Sequence, residues 1–202
     1  MEKRIITISR EFGSGGRFIG KEVAKQLGIA YYDKNMINEI AEKSGLSPEY
    51  IQENAELSPK KGLFAYAFSG RDITGKSVED MVYEAQRNII LELAEKEPCV
   101  IIGRNADYIL KDTEGIQLVR AFIYAPNDVR VHNIMESHNL SEKDAKLLLD
   151  EKDKRYHKRH LALTGSNRGD RHNRDMLIDS SLLGVDGTAE LIEEVAKKVF
   201  HE

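Results

Sequence analysis

The 202-residue chain has a single cysteine, Cys99, so no disulfide can form within it. One thiol fits a reducing compartment, and the cytoplasm is the expected location. Cys99 opens the apolar run Cys99-Val100-Ile101-Ile102, where it reads as a small buried hydrophobe rather than a nucleophile. No apolar stretch is long enough to span a bilayer, and the run after Lys3 and Arg4 is too short for a secretory signal. The formal net charge is −4, so there is no overall polycation to hold nucleic acid. No repeat and no low-complexity segment stands out. The string G-x-x-x-x-G-K-[ST] of the usual nucleotide-binding loop is also missing.

What is present comes close to that loop. An apolar run, Ile5-Ile6-Thr7-Ile8-Ser9, leads into Gly13-Ser14-Gly15-Gly16-Arg17, and a helical pattern follows from Phe18 to Leu27. Strand, glycine-rich turn and helix is the layout of a phosphate-binding loop. Glycines let the backbone curl so that several N–H groups face one anion, and the helix N-terminus adds its positive dipole end. Gly16 stands where the lysine of that loop belongs, and Arg10 stands where its first glycine belongs. Arg17, in the first helical turn, is the expected substitute cation.

The rest of the chain alternates. Strands are expected at residues 4–9, 30–32, 99–103, 119–124 and 176–178, nearly all apolar, as in strands covered on both faces. Helical patterns lie at 16–27, 77–97, 127–139, 141–163 and 188–200, with Gly28 ending the first and Ser141 capping the fourth. This order predicts an α/β fold with a parallel sheet and right-handed crossovers. Two stretches break the rhythm. Residues 34–86 exceed one crossover and read as a helical insert; they include a helix at 48–54, an exposed break at 58–62 and the aromatics Phe64, Tyr66 and Phe68. Residues 152–174 carry Lys152, Lys154, Arg155, Lys158, Arg159, Arg168, Arg171 and Arg174 against Asp153 and Asp170, and they read as an arginine-rich lid ending in a glycine-containing loop.

Four stretches together resemble the cytidylate-kinase-like family of the nucleoside monophosphate kinase group. They are residues 6–17, residues 27–33, Val100-Ile101-Ile102-Gly103-Arg104-Asn105-Ala106, and Leu177-Ile178-Asp179-Ser180. The resemblance implies a three-layer α/β/α P-loop NTPase fold with a five-stranded parallel sheet, a helical acceptor-binding insert and the lid. It implies ATP and Mg²⁺, a nucleotide donor and a small phosphorylated acceptor. Gly13, Ser14, Gly15, Gly16 and Arg17 would hold the donor phosphates. Arg17, Arg155 and Arg159 would act on the moving phosphoryl group. Asp33, Arg104, Asn105, Lys152 and Tyr156 would face the acceptor. Asn105 and Tyr156 stand where cytidylate kinases have aspartates, and Lys152 where they have an arginine, so the acceptor base is left open.

Other readings stand beside these. Asp33 could instead cap a helix starting at Asn35, and Asp179 could simply end a strand. His157, His160 and His172 lie near one another in the chain, but no cysteine joins them and no metal site is expected. The whole chain could be a nucleotide-binding regulatory module without kinase turnover. The basic segment could be a solvated face or an RNA-binding patch.

Overall fold

A computed structural model describes residues 3–33 and 78–201. The helix expected at 48–54, the break at 58–62 and the aromatics Phe64, Tyr66 and Phe68 lie outside the described residues. The last part of the expected insert, from Val78 to Gln86, belongs to a long helix described below.

Five strands form one parallel sheet in the order β2-β3-β1-β4-β5: β1 (Lys3–Arg10), β2 (Ala30–Tyr32), β3 (Cys99–Ile102), β4 (Ile116–Tyr124) and β5 (Met176–Asp179). The helices are α1 (Gly16–Leu27), α2 (Val78–Lys96), α3 (Ala106–Leu110), α4 (Asn127–His138), α5 (Glu142–Thr164) and α6 (Ser180–Val199). Side chains alternate across each strand, so each face collects its own half of the apolar residues. Ile6, Ile8, Val100 and Ile102 pack on one face against Ile19 and Val23 of α1 and Ala189, Ile192 and Ala196 of α6. Ile5, Cys99 and Ile101 pack on the other against Ile89, Ile90 and Leu93 of α2 and Ala106 and Leu110 of α3. Each fully buried isoleucine contributes about 2–3 kcal/mol of transfer free energy. The result is the expected three-layer α/β/α arrangement. Cys99 is fully buried, and burial pushes its thiol up to about 12, which makes it inert as a nucleophile at neutral pH.

Helix ends follow local chemistry. Gly28 N–H donates to Lys25 O at 3.3 Å and Ile29 N–H to Ala24 O at 3.0 Å, closing α1. Ser141 Oγ accepts from Asp144 N–H at 3.2 Å and donates to the Asp144 carboxylate at 2.6 Å. Asp179 accepts from Ser181 N–H at 2.9 Å and caps α6, so it ends the strand and starts the helix.

Two departures from the expected elements concern helices around the site. α6 begins eight residues earlier than residue 188, because a first turn from Ser180 joins the main helix across a break at Gly184 (φ 65°, ψ −166°). α3 was not expected; it has only five residues and is preceded by Arg104 and Asn105 at positive φ, which no helical periodicity announces. The α4–α5 hairpin has its own small core of Val131, Ile134, Ala145 and Leu149. It lies beside the carboxyl ends of the central strands, where open α/β sheets bind ligands.

Candidate functional site

The turn between β1 and α1 holds its carbonyls in protein and leaves amides over. Ser14 Oγ donates to Glu11 O at 3.0 Å. Arg130 Nε donates to Phe12 O at 2.8 Å, and Asn133 Nδ2 to Gly13 O at 2.8 Å. Ser180 Oγ donates to Ser14 O at 2.7 Å, and Phe18 and Ile19 N–H donate to Gly15 O at 2.9 and 3.1 Å. By contrast, the N–H groups of Gly13, Gly15, Gly16 and Arg17 donate to no backbone acceptor among the described residues. Four amides at the positive end of α1 are thus left over, the arrangement that suits an anion. Gly13 sits at φ 82°, and a Cβ there would stand 2.8 Å from the Arg130 carbonyl, so only glycine lets the turn lie this close to α4.

Arg130 is the anchor of this corner. It is buried, and besides Phe12 O its guanidinium meets Glu11 Oε2 at 3.3 Å and Asp153 Oδ2 of α5 at 2.6 Å. It ties the loop to α5, and no reading of the sequence singled it out.

Two expected site residues make contacts within the protein. The Ser14 hydroxyl is buried and donates to Glu11 O and, at 3.3 Å, to Ile123 O, so it braces the turn. The Arg17 guanidinium lies 2.7 Å from Asp33 Oδ2 at the end of β2, and Asp33 is buried. Tyr31 supports this pair by donating from its hydroxyl to Arg17 O at 3.3 Å; burial and then the Asp33 charge push its phenol up to about 12.

The turn after β3 is the second half of the site. Gly103, Arg104 and Asn105 have φ of 68°, 59° and 52° in succession. Two adjacent non-glycine residues in the left-handed region cost free energy, and such strain collects at functional sites. The bonds that tie the turn to other elements include Gly103 N–H to Ile8 O at 3.0 Å, Gln86 Nε2 to Arg104 O at 2.6 Å, and His160 Nδ1 with Asn105 Oδ1 at 2.9 Å. Burial lowers the His160 pKa, so the ring is neutral and Nδ1 carries the proton it shares with Asn105.

Beside this turn and the end of β1 lies a cleft. Its described lining includes five arginines, Arg10, Arg104, Arg159, Arg168 and Arg174, and no carboxylate. Ser9, Gln86, Gly103, Asn105, Tyr156 and His160 complete it. Arg174 is balanced from behind by Asp107 at 2.7 Å, both buried. Arg168 lies 3.8 Å from Asp153 and 5.0 Å from the Tyr156 ring centre, and burial, then the Arg10 charge, bring its pKa down to about 10. Guanidiniums crowded without carboxylates in the lining attract a multiply charged anion.

Of the residues picked from sequence, the cleft brings together Arg104, Asn105, Tyr156 and Arg159. Arg155 pairs with Glu151 one turn back along α5, and neither it nor Lys152 is in the described lining. Arg10, Gln86, His160, Arg168 and Arg174 were not picked. Arg168 and Arg174 were visible as part of the basic run; His160 drew notice only as a metal ligand that was set aside, and Gln86 carried no signal. Among the described residues, no group of three or more histidine, cysteine or carboxylate side chains could hold a metal. No helix among them is long and apolar enough to cross a membrane.

Known proteins share this layout. Cytidylate kinase of Pyrococcus horikoshii is 25% identical over 194 residues, which cover 95% of this chain and 88% of that protein. Cytidylate kinase of Thermoplasma volcanium is 27% identical over 198 residues, covering 96% and 93%. The solved structure of an uncharacterized protein from Eubacterium ventriosum superposes with a TM-score of 0.73 at 28% identity, covering 97% of this chain and 99% of that one. A gluconokinase from Sinorhizobium meliloti shares the fold, with a TM-score of 0.55 at 14% identity over 99% and 97% of the two chains. The cytidylate kinase-like family model matches residues 5–182, a span that takes in the amide nest, the strained Arg104 turn and the arginines of the cleft, and the chain belongs to that family.

Proposed function

We propose that the protein is a kinase that transfers the γ-phosphoryl group of ATP, supplied as its Mg²⁺ complex, to a nucleoside monophosphate or a related small phosphate-bearing acceptor. One observation carries this reading: Arg10 at the end of β1 packs on Gly16 of the amide nest and also lines a cleft that, among the described residues, holds five arginines and no carboxylate. Phosphoryl transfer asks the protein for positioning and for positive charge around the moving group, and this site offers both. The amides of Gly13, Gly15, Gly16 and Arg17 take the donor phosphates. Arg104, on its braced turn, takes the acceptor phosphate, with Asn105 and Tyr156 beside it. Arg159 of α5 closes on the transferred group, with Arg155 and Lys152 on the same helix as auxiliary cations. Asp33 serves through its hold on Arg17.

Mg²⁺ arrives with ATP. The Ser14 hydroxyl is engaged and Asp33 is paired, so among the described residues neither would be free to hold the ion, which would be bound chiefly through phosphate oxygens and water, its usual partners in such sites. Residues 34–86 are proposed as the acceptor-binding insert and 152–174 as the lid.

A regulatory module that binds nucleotide without turnover is the second reading, favoured by the missing loop lysine. RNA binding is less well supported, since Arg159, Arg168 and Arg174 line the cleft instead of forming an open stripe. ADP release from MgATP, measured with CMP, dCMP, UMP, AMP, GMP and non-nucleotide phosphates, separates these readings. Acceptor-dependent release supports the kinase. ATP binding without release under any acceptor supports the regulator.

A further inference from the structure

The loop lacks its lysine, and the first substitute, Arg17, is paired with Asp33 just after β2. A different arginine lies between the two halves of the site. Arg10 is the last residue of β1, and Gly16 opens α1. A Cβ added to Gly16 would stand 2.6 Å from the Arg10 Cβ and 3.1 Å from its Cγ, so the Arg10 stem fills the space a side chain at position 16 would need. The far end of Arg10 packs on the other turn, because a Cβ added to Gly103 would run into its guanidinium. Arg10 therefore stretches from the amide nest to the residue that precedes Arg104. It also lines the cleft, and the Arg168 guanidinium donates to its carbonyl.

Two positions are exchanged relative to the usual loop. That loop has glycine first and lysine near its end; here arginine comes first and glycine stands at the lysine place. The packing of Arg10 on Gly16 shows that the two changes depend on each other.

We propose that Arg10 is the cation of this loop: it crosses from the nest to the cleft and contacts the γ-phosphoryl group as it passes between donor and acceptor. The inference rests on the kinase reading. In the step itself an acceptor phosphate oxygen bonds to the γ-phosphorus. The bond from that phosphorus to the β,γ-bridging oxygen breaks, and its electron pair leaves on ADP. Arg10 neutralises charge on the moving group and exchanges no proton. Arg168, buried next to it, adds a second guanidinium, and the charge of Arg10 helps to bring the Arg168 pKa down. An anion between the two relieves that repulsion. Arginine is a planar fork, so it can bridge a γ oxygen and a neighbouring phosphate where lysine gives a point charge.

Calorimetry with the full chain tests this, using the Mg²⁺ complex of a non-hydrolysable ATP analogue and, separately, ADP. Arg10→Gln keeps the Cβ and Cγ that pack on Gly16 and removes the charge. It is expected to weaken the triphosphate at least tenfold and ADP by less than threefold. The double variant Arg10→Gly with Gly16→Lys, which restores the usual arrangement, is expected to recover the preference for triphosphate. Equal loss for both nucleotides in Arg10→Gln, or no loss for either, overturns the inference. So does a lost triphosphate preference in Arg17→Ala with none lost in Arg10→Gln. If Arg10→Gln does not fold, the double variant decides: a preference no better than that of Gly16→Ala counts against Arg10. Wild-type protein that binds neither nucleotide overturns the kinase reading itself, whereas wild-type binding that Arg10→Gln leaves unchanged overturns only the role of Arg10.

Discussion

The Arg17 guanidinium and the Asp33 carboxylate meet at 2.7 Å and join the first turn of α1 to the end of β2. The side chain of Asp33 is 8% exposed and that of Arg17 is 44% exposed, so the pair spans from interior to solvent. Removing Arg17 strands a buried carboxylate; removing both leaves no charge to strand. A double-mutant cycle of Arg17→Met and Asp33→Asn is expected to show a coupling of about 1 kcal/mol in chemical unfolding. Additive effects of the two changes would mean that the pair holds nothing together.

Arg130 should behave as a structural hub. Arg130→Met removes the donor to Phe12 O and leaves Glu11 and Asp153 without their shared cation. Both carboxylates are partly exposed and can regain some water. The expected loss is therefore about 2–3 kcal/mol, or about 4–12 °C in the thermal midpoint of a chain this size. Phosphate affinity should fall as well, because the Gly13 turn loses its support. An unchanged midpoint would show that the corner is held by backbone packing alone.

His160 gives the protein an acid-sensitive contact. Burial lowers its pKa below the ordinary value near 6.5, and Arg174, Arg168 and His157 act in the same direction while Asp107 opposes them. The unfolded chain therefore binds a proton more readily than the folded one. The stability held in neutral His160 is complete above about pH 6.5 and is lost as pH falls toward the folded value. Unfolding midpoints measured from pH 7.5 to 5 should decline, and His160→Gln should flatten the decline. A slope unchanged in that variant would place the acid sensitivity in other groups.

The sheet and the loop were legible in the sequence because parallel strands covered on both faces appear as short unbroken apolar runs. Cys99-Val100-Ile101-Ile102 is such a run, and its four residues are buried. Gly13 to Gly16 announced the turn. The full cleft was not legible. Arg10, Arg104, Arg159, Arg168 and Arg174 are spread over residues 10–174 and meet only because the ends of β1 and β3, α5 and the segment before β5 converge. Arg17 was assigned to phosphate by its place in the loop, and nothing in the local sequence shows that Asp33, sixteen residues on, pairs with it. Positive φ at Arg104 and Asn105 likewise has no sequence mark, and it hid α3.

The two lid arginines should differ. Arg159 lines the cleft, whereas Arg155 is paired with Glu151 and is not in the described lining. Arg159→Ala is expected to lower kcat/KM about 10²–10³-fold, and Arg155→Ala by about tenfold or less. Steady-state kinetics with the best acceptor will show the order. A larger loss in Arg155→Ala would mean that α5 turns when the lid closes.

The most direct test is ADP release from MgATP across the acceptor panel, run on wild type and on Arg104→Ala with ATP affinity measured in parallel. The expected result is release that depends on at least one phosphate-bearing acceptor and falls about 10²–10³-fold in Arg104→Ala, while ATP affinity changes little. A folded wild-type protein that binds ATP and releases no ADP with any acceptor would contradict the assignment of this cleft to phosphoryl transfer.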